Sequence, residues 1–410
     1  LKIVIANKYY YLDGGPERYM FGLSSYLASH GHEVIPFAVG YRRNEPSMYE
    51  SYFLKPIGDG TQTKLTDFEG GGLAKLKAAG RAIYSVEARR AMSRLISETN
   101  PDLLYCLNIV NHISPSIIDA ADRKGVPVVM RTSDFYLVCP SFLFLRDGQV
   151  CKDCLRGSYR ALGHKCVNDS FAATLARVCG MYRAAGIYKK VSAFVTPTRM
   201  MRDALIEAGF PSERVHHIPT FVDSSRWTPR YDNDGYILYL GRLSPEKGVE
   251  FLLDAYNASD ISDQLYIVGD GPADYVAELN EKVDSAKREQ VRFLGAKSGD
   301  ELREVVLGAK FVVVPSLCLD NAPNVVYEAF AAGKPVVGSA IGGLIEQVTP
   351  ETGVLVEPGN VEALSDKMSE LASTPDLLES LGRNARALVE KENSIELHVE
   401  RLLGLFKQFV

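Results

Sequence analysis

From residue 236 onward the chain alternates between short apolar runs and helical patterns, and that alternation admits few folds. The runs are Tyr236–Leu240, Gln264–Val268, Val291–Leu294, Phe311–Val314, Pro335–Val337 and Val354–Val356. Most are followed by a stretch with apolar residues at helical spacing. A strand that is apolar along its whole length is buried on both faces. Strand–helix alternation achieves this by laying helices on the two sides of a parallel sheet.

The first half carries the same signal less cleanly. Strands fit Ile3–Ala6, Glu33–Val39, Asp102–Cys106, Val126–Arg131 and Ala193–Thr196. Between the first two, Asp13-Gly14-Gly15 turns the chain and Pro16 suits the first turn of a helix that carries Tyr19, Met20, Leu23, Tyr26 and Leu27 on one face. Further helices are expected at Leu73–Ser97, Pro115–Arg123, about 170–190 and Arg199–Ala208, and residues 40–70 read as a long loop. Turn-prone residues at 222–235 read as a linker. The expected fold class is therefore α/β, with two Rossmann-like, doubly wound parallel-sheet domains, 1–217 and 218–392, facing each other across a cleft. Ligands in such sheets bind beyond the carboxyl ends of the strands.

Several classes are disfavoured. No run approaches 18 apolar residues, so no transmembrane helix is expected. Asn7 and Lys8 cut the apolar N-terminus too short for a signal peptide, and a cytoplasmic protein is expected. No Gly-x-Gly-x-x-Gly follows the first strand, which argues against a dinucleotide oxidoreductase. The net charge of −5 hides an asymmetry: residues 1–195 carry 25 Lys and Arg against 17 Asp and Glu, and the remainder 21 against 34. The basic excess concentrates in 151–190, with eight basic and two acidic residues. Such a block suits phospholipid or an anionic acceptor, or is simply a solvated face. No nucleic-acid motif accompanies it, so nucleic acid is not an expected partner.

The richest segment is Pro315–Gly333, which follows a strand and opens a helix. Orphan amides near Ala322 to Val325, together with the helix dipole, make an anion site there. Asp320 sits before the helix and Glu328 inside it, and a carboxylate accepts two hydroxyl hydrogen bonds well. Alone, the Asp and Glu would mean a cap and a surface charge. They are joined by Gly241-Arg242 and Lys247-Gly248 at the end of the Tyr236–Leu240 strand, which puts two cations where a diphosphate would lie.

Together with Gly14-Gly15-Pro16-Glu17-Arg18, Val268-Gly269-Asp270-Gly271-Pro272, Val291-Arg292-Phe293-Leu294-Gly295, Gly342-Gly343-Leu344-Ile345-Glu346 and Thr352-Gly353-Val354-Leu355-Val356, these segments resemble family 4 glycosyltransferases. The likeness is to retaining enzymes of GT-B fold, of the kind that build bacterial glycans and polysaccharides. It runs over nearly the whole chain. It implies transfer of a hexosyl unit from a nucleoside diphosphate sugar, a UDP- or GDP-sugar, to a glycan or lipid-linked acceptor, with no catalytic metal. By that resemblance Arg242 and Lys247 hold the diphosphate and stabilise the departing charge, and Asp320 contacts the transferred sugar. Glu328 binds the ribose, Gly14 and Gly15 let the first loop approach the donor, and Asn321, Ala322, Pro323 and Asn324 form the donor-facing helix start. The first domain would take the acceptor, and a C-terminal helix within 393–410 would return to it.

One departure stands out. Ser133 occupies the position of a family histidine in Arg131-Thr132-Ser133-Asp134-Phe135. A hydroxyl cannot replace an imidazole as acid, base or cation near neutral pH. Asp134 remains a candidate to orient the acceptor or act as base, with a turn cap as the plain alternative. His112 is a further candidate beside the plain reading of a structural loop histidine. The departure keeps a second function open: a catalytically weak or inactive sugar-nucleotide-binding partner of another glycosyltransferase.

The insert 139–169 holds Cys139, Cys151, Cys154 and Cys166. Their Cys-x2-Cys core matches a tetrahedral structural zinc site, which would staple a loop short of apolar residues; free thiols are the plain alternative. The helix near 171–190 is basic and amphipathic. Packing on its own domain is the expected role, and a peripheral contact at the inner face of the membrane remains open to it.

Overall fold

The computed structural model describes residues 1–56, 80, 81, 83–110 and 112–410. Its two six-stranded sheets are parallel throughout. In the first, β1 (Lys2–Ala6), β2 (Glu33–Phe37), β3 (Leu103–Cys106), β4 (Val128–Arg131), β7 (Ala193–Thr196) and β8 (Val215–His217) lie in the order β2-β1-β3-β4-β7-β8. β5 (Leu145–Arg146) and β6 (Gln149–Val150) form a separate two-residue antiparallel ribbon. In the second sheet, β9 (Tyr236–Leu240), β10 (Gln264–Val268), β11 (Val291–Gly295), β12 (Ala309–Val314), β13 (Val336–Ser339) and β14 (Gly353–Val356) lie in the order β11-β10-β9-β12-β13-β14.

Period-two alternation explains why the central strands are apolar throughout. Ile3 and Ile5 of β1 join one core with Leu23 and Leu27 of the helix Gly15–Ser29 and with Leu402 and Phe406 of the helix Ile395–Phe406. Val4 and Ala6 point into the opposite core, with Met92 and Leu95 of the helix Val86–Thr99 and Ile117 of the helix Ser116–Arg123. β9 repeats the arrangement, with Ile237 and Tyr239 on one side and Tyr236 and Leu238 on the other. Each such Val, Leu, Ile, Met or Phe contributes about 1.5–3 kcal/mol by leaving water.

The final helix is tied to the first sheet by a polar network inside an apolar wall. His398 Nδ1 lies 2.7 Å from the Pro219 carbonyl, which can only accept, so Nδ1 carries the hydrogen. Nε2 then accepts from Tyr19 Oη at 2.9 Å, and Tyr19 Oη also meets Tyr105 Oη at 2.9 Å. Burial pushes the His398 pKa down to about 3, so the ring is neutral at ordinary pH. Arg131 lies over the Tyr19 ring at 4.1 Å and donates to Thr220 Oγ1 at 2.6 Å.

The structure differs from the sequence reading in a few places. The strand Val215–His217 is unforeseen; it adds an edge beside β7. Of the helix expected over Leu73–Ser97, residues 80, 81 and 83 are helical and a separate helix runs Val86–Thr99, where Ser85 Oγ caps it by accepting from Ala88 N at 3.0 Å; residues 73–79 lie outside the described residues. The long loop expected at 40–70 is described to residue 56, where it makes the turn Glu50–Tyr52 and a bridge between Val39 and Leu54. The linker is packed rather than free: Trp227 is buried, and Arg386 donates to its carbonyl at 2.9 Å.

The zinc expectation is not met. Cys139, Cys151, Cys154 and Cys166 are free thiols, and among the described residues no three His, Cys, Asp or Glu side chains group so as to hold a metal ion. Cys139 Sγ instead meets Ser141 Oγ at 3.2 Å, and Cys154 packs with Ala161 and Val178. The segment has the apolar anchors that the sequence reading found lacking: Phe144 is 1% exposed and packs on Phe135, with ring centroids 4.5 Å apart. Among the described residues no helix is long and apolar enough to cross a membrane.

Candidate active site

The second sheet reverses its winding between β9 and β12, so the loops after these strands flank a crevice at their carboxyl ends. Those loops are 241–248 and 315–323. They are built onto one another. Leu317 N donates to the Glu246 carbonyl at 2.9 Å, and Tyr239 Oη fixes the turn by donating to the Arg242 carbonyl at 2.6 Å. Gly248 has φ +71°, and a Cβ there would stand 1.9 Å from the Pro315 carbonyl oxygen. Only glycine permits that contact, and it brings Lys247 against the other loop.

Lys247 Nζ contacts Asp320 Oδ1, joining motifs 73 residues apart. Ser316 Oγ donates to the second carboxylate oxygen at 2.5 Å. The two charged side chains are 22% and 14% exposed, so the pair is shielded but reachable. Arg242 projects outward, 69% exposed, and pairs with Glu246 Oε1 at 3.1 Å. An exposed pair of that kind adds little stability and leaves the guanidinium free to rotate toward an anion.

The helix Asn324–Ala331 begins at the crevice with Pro323 as N-cap and no side-chain cap. Its first-turn amides and dipole therefore face the site. Glu328 lies one turn in, and Arg18 of the opposite half forms an ion pair with its Oε1. Burial raises the Glu328 pKa, and the Arg18 charge opposes the rise.

The first half contributes the loops after β1 and β3, again at a point where winding reverses. Gly14 caps the first helix in extended conformation. Gly15 stands so close to the opposing helix that a Cβ would lie 2.5 Å from Asn324 Nδ2. Glu17 is 3% exposed and accepts from Asn7 Nδ2 at 3.0 Å; burial raises its pKa. Lys8 faces Glu17, Asp13 and Asp134, and burial outweighs them to lower its pKa.

The sequence candidates thus divide. Lys247 meets Asp320, Arg242 pairs with Glu246 beside them, Glu328 pairs with Arg18, Gly15 abuts Asn324, and Gly14 and Pro323 are the N-caps of the two helices that start there. Asn321 is corrected: its amide is used up inside the protein. Its Oδ1 accepts from Thr198 Oγ1 at 2.6 Å, and its Nδ2 donates to the carbonyls of Thr132 and Ser133 at 3.3 and 3.2 Å. It ties the halves together and leaves only its backbone for a ligand. Asp134 serves as the turn cap, accepting from Tyr136 N at 3.0 Å, and burial raises its pKa. His112 Nδ1 is held 3.0 Å from Tyr41 Oη, and burial pushes its pKa down to about 4, so it is neutral near pH 7.

Sequence reasoning missed Lys8, Arg18, Ser316 and Glu346. The Glu346 carboxylate accepts from Arg199 N and Met200 N, each at 2.7 Å, and so caps a helix of the other half. Arg18 and Glu346 were both inside the motifs quoted above; their position there was the available signal.

Two family models match. "Glycosyltransferase Family 4" covers residues 13–226 and "Glycosyl transferases group 1" covers 223–388. Among curated relatives, a GDP-mannose-dependent monoacylated alpha-(1-6)-phosphatidylinositol monomannoside mannosyltransferase of Corynebacterium glutamicum is 31% identical over 214 residues, 47% of this chain and 55% of that protein. An alpha-D-kanosaminyltransferase of Streptomyces kanamyceticus is 29% identical over 244 residues, 54% of this chain and 61% of that protein. The chain thus spans about half the length of the curated relatives it matches. Among solved structures, sucrose-phosphate synthase from Thermosynechococcus elongatus superposes with TM-score 0.73 at 19% identity, covering 99% of this chain and 98% of that one. Anabaena HepE in complex with UDP superposes with TM-score 0.67 at 17% identity, covering 100% of both chains.

Proposed function

The chain belongs to Glycosyltransferase Family 4 and has the GT-B fold, and from that premise we propose that it moves a hexosyl unit from a nucleoside diphosphate sugar to a glycan or lipid-linked acceptor, with retention at the anomeric carbon. The reading takes 218–392 as the donor domain and 1–217, with the C-terminal helix, as the acceptor domain.

The observation that carries it is the contact of Lys247 with Asp320 at the carboxyl ends of β9 and β12, beside an uncapped helix N-terminus. A diphosphate there meets Lys247, Arg242 and helix amides. As the bond from the anomeric carbon to the phosphate oxygen breaks, negative charge grows on that oxygen. Preplaced cations and amides stabilise it without reorganisation. The acceptor oxygen bonds to the anomeric carbon, and its proton leaves to the departing phosphate. Glu328 accepts from the ribose hydroxyls once they displace Arg18, whose guanidinium is then free for the diphosphate. Asp320 accepts from hydroxyls of the transferred sugar. It is one methylene shorter than the family's glutamate, and its tie to Lys247 and Ser316 fixes its direction.

The donor nucleotide is UDP or GDP on this reading. HepE is described with UDP and the corynebacterial relative as GDP-mannose-dependent, so the two are tested side by side. The experiment is nucleotide release from a panel of UDP- and GDP-sugars with glycan and lipid-linked acceptors. Release by the wild type, lost in Arg242→Ala and Lys247→Ala with folding intact, supports the reading. Donor binding with no release across the panel supports the inactive-partner alternative instead.

A further inference from the structure

We infer that the cavity beside the helix Phe171–Tyr188 holds the hydrocarbon chain of an acceptor carried on a lipid phosphate, an inference that rests on the glycosyl-transfer reading above. The cavity measures ≈710 Å³, within the usual range of small-molecule sites. Its lining includes Tyr136, Val138 and Phe142, Met181 and Ala185 of the helix, and Phe210. The lining is mostly apolar, with a few polar side chains such as Arg177 and Asn168, a mixture that suits an alkyl chain with a polar head.

Three observations select a lipid phosphate over other apolar occupants. The first is charge. Arg177 lines the cavity, with its guanidinium 4.4 Å above the Phe142 ring, and the surrounding segment 151–190 has eight basic residues against two acidic. The second is the rim. On the same helix Phe171, Leu175 and Tyr182 are 54%, 40% and 56% exposed, an apolar row suited to a bilayer surface, and Tyr182 also lines the cavity. The third is continuity with the crevice. The carbonyls of Thr132 and Ser133 accept from Asn321 of the donor loop, and the same strand of chain becomes the cavity wall at Tyr136. Three residues span at most about 11 Å, so the cavity wall lies within that distance of the chain that holds the donor loop.

The test titrates the full chain with octyl, decyl and dodecyl phosphate, and with uncharged dodecyl maltoside, below their micelle concentrations. Each methylene buried is worth about 0.8 kcal/mol, or about fourfold, so affinity rises up to about 250-fold from octyl to dodecyl phosphate, and the uncharged probe binds more weakly. Ala185→Trp and Ala176→Trp, at exposed positions that line the cavity, each lower dodecyl phosphate affinity tenfold or more. Arg177→Met removes the preference for phosphate. Affinity independent of chain length, or chain-length dependence kept in both tryptophan variants, overturns the inference; the second result would mean adsorption to a membrane-facing surface. Nucleoside diphosphate binding, measured on the same samples, tests the donor reading separately: its loss in the wild type would sink that reading and leave the alkyl phosphate result to stand as a lipid site without transfer.

Discussion

Replacing Lys247 by methionine keeps most of the side chain's length and apolar stem and removes its charge. The structure foresees two effects of different kind. Asp320, 14% exposed, loses its cation and keeps the Ser316 hydroxyl, which donates at 2.5 Å, and a weak contact from the Cys318 thiol. Leaving a shielded polar group short of a partner costs about 1–3 kcal/mol of stability. The departing diphosphate also loses a fixed cation, and losing one such group lowers turnover by about 10²–10³-fold, or about 2.7–4 kcal/mol. The double variant Lys247→Met/Asp320→Asn separates them. A neutral amide needs no cation, so urea unfolding should return to within about 1 kcal/mol of the wild type while turnover stays low. Steady-state nucleotide release and equilibrium unfolding are the assays. Turnover within threefold of wild type in the single variant, or turnover restored together with stability in the double, would refute the reasoning.

Other variants test the frame. Asn321→Ala removes hydrogen bonds to Thr132, Ser133 and Thr198 across the crevice. It should cost about 2–3 kcal/mol in chemical unfolding, and an unchanged midpoint would mean that the tie is not formed in solution. Gly248→Ala forces φ +71° on a residue with a Cβ, 1.9 Å from the Pro315 carbonyl oxygen. At least about 1–2 kcal/mol should be lost, with a drop in turnover because Lys247 is displaced. The neutral His398 makes stability depend on pH. Its folded pKa, about 3, lies below that of the unfolded chain, so the unfolded state binds the extra proton as pH falls. Its contribution is full above about pH 6.5 and falls by about 1.4 kcal/mol per pH unit below it, down to about pH 3. Glu17, Asp134 and Glu328, with raised pKa values, act in the opposite sense at the acid end. Unfolding free energies at pH 7, 6 and 5 should therefore vary less in His398→Gln than in the wild type; identical slopes would contradict the assignment.

What the sequence revealed follows from where each signal resides. β9 and β10 begin and end where the pattern put them, because apolar runs bounded by turn residues carry their own limits. Val215–His217 escaped because three residues, two of them histidines, hold too little apolar pattern to register. Lys247, Asp320 and Glu328 were legible as motif members. The Lys247–Asp320 contact was not, since it depends on Gly248 pressing against Pro315. Asn321 looked like a ligand-facing loop residue because its partners lie 123 to 189 positions away. The four cysteines suggested a metal because Phe144 and Phe135, which help order their loop, pair only after folding. The cavity beside Arg177 draws its walls from separated segments and has no linear signature.

The central claim is that a nucleoside diphosphate binds between the loops 241–248 and 315–323, with its ribose on Glu328. Thermal unfolding with UDP and GDP in saturating excess, on the wild type and on Glu328→Ala, tests it most directly. A ligand at a hundred times its Kd adds about 2.7 kcal/mol to stability. The account predicts a rise in melting temperature with at least one of the two nucleotides for the wild type, and a much smaller rise for Glu328→Ala. No rise with either nucleotide, or an equal rise in both proteins, would contradict it.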